Sequence, residues 1–138
     1  MKTTTLDFIK KIFLFIHQLP QNVLGFIIVF FTFAQKTDRD FEYIASTRFY
    51  FGVSLGDFII FGNRKGSVTS YMHEYGHHKQ SLYLGWLYLI LVGLPSLCIN
   101  LWDLFVHGNW SKDKRIGWYY SRYPERWADE LGLVERRI

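Results

Sequence analysis

The chain has 138 residues, room for a single domain, and its content of 49% hydrophobic and 20% aromatic residues is rich for a soluble protein of that size. A net charge of +4 would suit an anionic membrane surface, yet Lys and Arg are scattered among acids, and Arg64-Lys65 or Lys112 to Arg115 are too short to form the basic face that nucleic acid requires. Cys98 is the only cysteine, which excludes an internal disulfide; within its apolar run it reads as a packing residue.

The first apolar block, Ile12 to Ala34, lies within a helical segment of residues 1–35 and is long enough to span a bilayer. His17, Gln18, Pro20, Gln21 and Asn22 interrupt it, so it reads as a kinked span or as two shorter helices meeting at Leu19-Pro20. It is too long for a cleaved signal peptide, and Phe33-Ala34-Gln35 is a poor cleavage site. His17, alone in a polar helix break, reads as structural. Phe41 to Val53 is rich in aromatic and β-branched residues, Gly52 and Gly56 punctuate it, and Phe58-Ile59-Ile60-Phe61 is a buried-strand pattern ending at Gly62-Asn63. A hairpin of two or three strands is predicted there.

Ser67 or Ser70 then caps a helix that carries His73-Glu74-Tyr75-Gly76-His77 in its early turns. Residues four apart share a helical face about 6 Å apart, so the two imidazoles can converge on one ion. Glu74 lies one residue further round, beside an open coordination position, where a carboxylate can take a proton from water.

Leu82 to Phe105 forms the second apolar block. As a simple span it would leave the histidine helix and the chain after it on opposite faces, with no return span in the polar stretch from His107 to Tyr123. Gly93-Leu94-Pro95-Ser96 offers a break into arms of about 15 Å each, so residues 82–105 are predicted to form a helical hairpin. Trp86, Trp102 and Trp110 suit either a membrane interface or buried packing. The last predicted helix lies within Ser121 to Gly132, with Pro124 in its first turn and Gly132 as its stop. Glu125 and Asp129 share one of its faces, Glu125 able to reach a metal and Asp129 able to orient a liganding histidine; Glu130 and Glu135 read as solvated.

His-Glu-x-x-His followed by Glu-x-x-Ala-Asp resembles the gluzincin metallopeptidases, above all the integral-membrane branch containing the bacterial heat-shock membrane protease and the prenyl-protein protease. The match covers two short motifs between Tyr71 and Leu131, and the chain is closer in length to the minimal gluzincins. The resemblance implies one Zn2+ per chain, with His73, His77 and Glu125 as ligands, Glu74 as general base and Asp129 as support behind a ligand. Zincins generally place a strand beside the cleft, which implies that one strand here pairs with extended substrate. Tyr119, Tyr120, Arg122 and Tyr123, just before Glu125, are candidates to stabilise an oxyanion.

The expectation is therefore a mainly α fold with a small β-hairpin (α+β), a compact minimal zincin-like domain spanning 1–138, with residues 36–138 as its metal-site core. Its partners would be the lipid bilayer and a peptide or membrane-protein substrate, with no nucleic acid. The lysines Lys2, Lys10 and Lys11 before the first block, set against thirteen basic residues among eleven acids after it, leave orientation poorly determined, and a cytoplasmic-facing site is the expectation adopted. Two rivals come from other classes. A membrane di-iron oxygenase needs about eight histidines and the chain has five. A non-catalytic zinc-binding membrane protein, of adaptor or immunity type, would not require Glu74. The Asp-Gly ligand motif of site-two-type intramembrane proteases is absent, since Leu104 follows Asp103.

Overall fold

The computed structural model describes residues 5–36, 43–47, 52–62 and 67–136, with backbone alone for 43–47. Arg64-Lys65, Lys2 and parts of the predicted strand region lie outside the described residues. The fold is mainly α with a small sheet, as the hydrophobic pattern implied.

Helices α1 (Thr5–His17) and α2 (Leu19–Thr32) meet at an angle of 84°, so the first block is two helices joined at its polar break. The break is buried rather than merely tolerated. Gln18, Gln21 and Asn22 are sealed from solvent, and the burial of side-chain amides is affordable because partners meet them. Gln21 donates to Ser81 Oγ and to the Gly85 carbonyl, both at 2.9 Å, while Ser81 donates to Gln18 Oε1 at 2.7 Å. His17 Nε2 reaches the Leu82 carbonyl at 3.1 Å, a structural contact far from the other histidines in chemistry and purpose.

Four strands form one sheet in the order β1-β2-β4-β3: β1 (Gln35–Lys36), β2 (Tyr43–Thr47), β3 (Gly52–Leu55) and β4 (Phe58–Gly62). The predicted hairpin is β3 and β4, turned at Gly56, whose φ of +62° suits a residue without a side chain. β2 joins β4 in parallel, with Tyr43 opposite Phe58, and β1 adds an edge, so the sheet is mixed and larger than the hairpin expected. β4 is interior, which explains why Ile59, Ile60 and Phe61 are all buried and why its sequence is continuously apolar.

Helix α3 (Val68–Leu84) starts at Ser67, whose Oγ accepts the Ser70 backbone N–H at 3.1 Å. It packs closely across α6 (Glu125–Gly132). A β-carbon at Gly76 would overlap the Ala128 carbonyl oxygen, and one at Gly132 would overlap the Met72 carbonyl oxygen. Gly132 was expected to stop α6, and it is the last residue of that helix; the left-handed cap is made by Leu133, with φ 56° and its N–H returned to Asp129 and Glu130 carbonyls. Gly132 is spent on the crossing.

The predicted hairpin over 82–105 does not form. The chain turns earlier, at Gly85 (φ +52°), where a side chain would collide with the His17 ring. A π turn, Leu89–Gly93, then runs without interruption into α4 (Leu94–Val106), making one helix from Leu89 to Val106 that is long and apolar enough to cross a membrane. Pro95 does not break it, because it lies in the first turn of α4 and the Leu91 carbonyl, four residues back, accepts the Tyr123 hydroxyl at 2.5 Å instead. The return that the polar stretch seemed unable to make is supplied by α5 (Lys112–Tyr120), about 13 Å long, which comes back along α4. Arg115 holds it there through two contacts to Asp103 Oδ2, at 2.6 and 3.0 Å.

The distribution of polarity is inverted. Buried apolar residues are few, among them Ile59, Ile60, Tyr88, Val92 and Ala128, whereas histidines, amides and carboxylates fill the interior. The outer surfaces of α1, α2 and Leu89–Val106 carry exposed Phe13, Phe26, Phe30, Leu97, Trp102 and Phe105. Cys98 belongs to this outer surface and is exposed, so it does not pack in a core.

Gly76→Ala tests the crossing. Alanine gains about 1 kcal/mol of helix propensity, but overpacking against a fixed backbone carbonyl costs roughly 3 kcal/mol. Thermal unfolding should show clear net destabilisation, whereas Gly93→Ala, whose new methyl would meet Leu89 Cδ2 at 3.5 Å, should be neutral or stabilising.

Candidate metal centre

His73 and His77 project from one face of α3 because they are one helical turn apart, and their rings lie edge to face with centroids 4.7 Å apart. The α3–α6 crossing brings Glu125, the first residue of α6, against both. Glu125 Oε2 lies 3.0 Å from His73 Nε2 and 3.2 Å from His77 Nε2. The ligating atoms of the three residues all fall within 4.8 Å of one another, and all three side chains are buried, so this His-His-Glu group could hold a metal ion.

Each ring is oriented from behind. Asp129 Oδ1 lies 2.7 Å from His73 Nδ1, and Gln80 Oε1 lies 2.7 Å from His77 Nδ1. Asp129 is in turn gripped by Arg136, with Nε 2.6 Å from Oδ2 and Nη2 2.9 Å from Oδ1. Gln80 spends its amide N–H on the Pro124 carbonyl at 3.1 Å. Because both Nδ1 atoms donate outward, both Nε2 atoms present themselves inward.

This arrangement calls for positive charge. His73 faces a carboxylate at both nitrogens, yet a neutral imidazole has only one N–H. Burial pushes the His73 pKa down, but the hydrogen bonds to Asp129 and Glu125 outweigh it and raise the ring to about 9. Burial likewise pushes Glu125 up, and the bonds from His73 and His77 overcome it, holding the carboxyl well below its usual range. Two inward nitrogens, one carboxylate oxygen and outer partners already in place are the donor set of a cation site.

Glu74 has the opposite character. Burial, its largest influence, raises its pKa, and the neighbouring His77 and His73 only moderate the rise. Its Oε2 is buried with no hydrogen-bond partner. Gly52 of β3 leaves room for it, since a β-carbon there would stand 2.6 Å from Glu74 Oε1.

Of the four residues proposed near an oxyanion, two face the site. The Tyr120 ring lies edge-on to His73 with centroids 5.0 Å apart, and the Arg136 guanidinium stacks on it at 3.2 Å. Tyr119, its ring edge to face with that of Tyr120 at 4.9 Å between centroids, lies near Ser96, Asn100 and Glu125. Arg122 stacks on Trp118, and Tyr123 is committed to the Leu91 carbonyl.

All five residues singled out by the two motifs therefore gather in one place, and His17, His78 and His107 do not join the trio. His78 bonds the Gly56 carbonyl, and His107 is sandwiched between Trp110 and Trp118. Sequence reasoning missed Gln80, Ser96 and Arg136. Gln80 carried a usable signal, being three residues after His77 on the same face. Arg136 lies beyond the end of α6, and Ser96 stood in an apparent helix break, so neither announced its partner. No family model, curated protein or solved structure matches the chain, which leaves this geometry as the ground for a functional argument.

One metal ion per chain is expected from mass spectrometry of the purified protein, and His73→Ala or His77→Ala should remove it. Asp129→Asn should instead weaken binding by roughly ten- to a hundredfold in a chelator competition. An unchanged affinity in that variant would mean that the Asp129–His73 contact does not serve the metal.

Proposed function

We propose that the chain is a membrane-associated, zinc-dependent peptidase that uses His73, His77 and Glu125 to hold the ion and Glu74 as the general base. The single observation that carries this reading is Glu74: a buried carboxylate with a free oxygen, placed beside a three-residue metal site it is not needed to build. Two imidazole nitrogens and a carboxylate oxygen suit zinc in a site that keeps one position open. Zinc bound there would act as a Lewis acid, lowering the pKa of water and polarising a carbonyl.

The remaining work falls to the chain's own side chains. Glu74, its pKa raised by burial, is a stronger base than a solvated carboxylate and accepts the proton of the attacking water at its free Oε2. The same carboxyl then delivers that proton to the departing amine, which completes the proton balance of peptide hydrolysis. Tyr120, beside His73, is the residue placed to stabilise negative charge developing on the carbonyl oxygen. β3 is an edge strand whose Gly52 abuts Glu74, and an extended peptide adding to that edge would bring its backbone to the base.

Two features support a membrane setting. Leu89–Val106 meets the length and composition of a span, and the apolar side chains of α1, α2 and α4 point outward while the polar ones point inward. A peptide or membrane-protein segment presented at the bilayer is the substrate class this implies. The di-iron alternative finds no second group of histidines among the described residues. The non-catalytic alternative shares the metal site and differs only at Glu74.

Glu74→Gln separates them. The amide keeps the shape and cannot accept the proton, so zinc content should be unchanged while hydrolysis of a peptide library falls at least about 100-fold. Tyr120→Phe should lower kcat by about 100-fold with little change in KM, if the phenol acts on the developing charge. Hydrolysis undiminished by Glu74→Gln would remove the residue from the reaction.

A further inference from the structure

Glu125 presents its two oxygens unequally. Oε2 faces both inward imidazole nitrogens, whereas Oε1 is taken by the Ser96 hydroxyl at 2.5 Å, a short bond to a buried carboxylate. Ser96 has one proton, and it goes to Glu125. Asn100 and Tyr119 lie near this pair.

We propose that Ser96 is a positioning residue which reserves Glu125 Oε1 and so restricts Glu125 to binding metal through Oε2 alone. The inference rests on the metal-site reading above and adds to it the reason for an open coordination position. A carboxylate free at both oxygens can close on an ion with both and fill the position that water requires. A hydroxyl bonded to one of them withholds it. The hydroxyl comes from the helix Leu89–Val106, so that helix, which supplies no ligand, shapes the site through one side chain.

Cobalt(II) in place of zinc gives a test independent of activity, because its visible absorption is intense in four-coordinate sites and weak at higher coordination. The detergent-solubilised full chain would be titrated with Co2+ as wild type, Ser96→Ala, Ser96→Thr and His73→Ala, with circular dichroism to confirm equal folding. Wild type should show the intense four-coordinate bands. Ser96→Ala should still take up one ion but with bands of markedly lower intensity, and with affinity altered by roughly ten- to a hundredfold as for other groups behind a ligand. Ser96→Thr keeps the hydroxyl and should restore the wild-type spectrum. Identical spectra for Ser96→Ala and wild type, with His73→Ala losing the ion, would overturn the role of Ser96 and leave the metal site standing. Failure of the wild type to bind Co2+ at all would overturn the metal site itself and the inference with it.

Discussion

The contact on which everything else rests is the crossing of α3 and α6. Two helices whose facing residues are Gly76, Gly132 and the fully buried Ala128 approach so closely that a β-carbon at either glycine would overlap a backbone carbonyl of the other helix. Only at that separation can a short glutamate on one helix reach two imidazoles on the other, and only then does Asp129, one turn along α6, meet the far side of the His73 ring. The glycine inside the His-Glu-x-x-His run thus performs a different service from its neighbours. It sets the distance, and they supply the chemistry.

A second constraint follows from what is buried. Carboxylates, imidazoles and amides in a small interior cost free energy unless each polar atom finds a partner, and here nearly all do. The polar joint of α1 and α2 is clamped to Ser81 and the Gly85 carbonyl, one turn beyond the histidines on α3, so the N-terminal helices brace the site without contributing a ligand. Among the described residues the exceptions are Gln21 Oε1, Ser54 Oγ and Glu74 Oε2, and of these Glu74 stands beside the His-His-Glu group.

Much of this was legible in the residues. The His-Glu-x-x-His and Glu-x-x-Ala-Asp spacings anticipated that five side chains would gather, since helical periodicity converts spacing into direction with little ambiguity. The caps at Ser67 and the β3–β4 hairpin followed from local rules as well. Illegible parts depended on contacts remote in sequence. Pro95 looked like a break because nothing in its neighbourhood reveals that Tyr123 will satisfy the Leu91 carbonyl, and Gly132 looked like a cap because a glycine reads the same whether it serves a turn or a crossing. The parallel pairing of β2 with β4 has no local signature either.

The glycines around the site also make the protein brittle in one place and forgiving in another. Gly76 and Gly132 each face a backbone carbonyl oxygen at a distance that forbids a single added carbon, so mutational tolerance there should approach zero even for alanine, whereas Gly52 faces the movable end of the Glu74 side chain. The exposed apolar positions of α1, α2 and α4 meet no such wall, and one aliphatic or aromatic residue can stand for another. Sequences drifting from this one under selection for the same fold would keep a few small residues in an otherwise rewritten apolar shell, so that overall identity would decay far faster than the site.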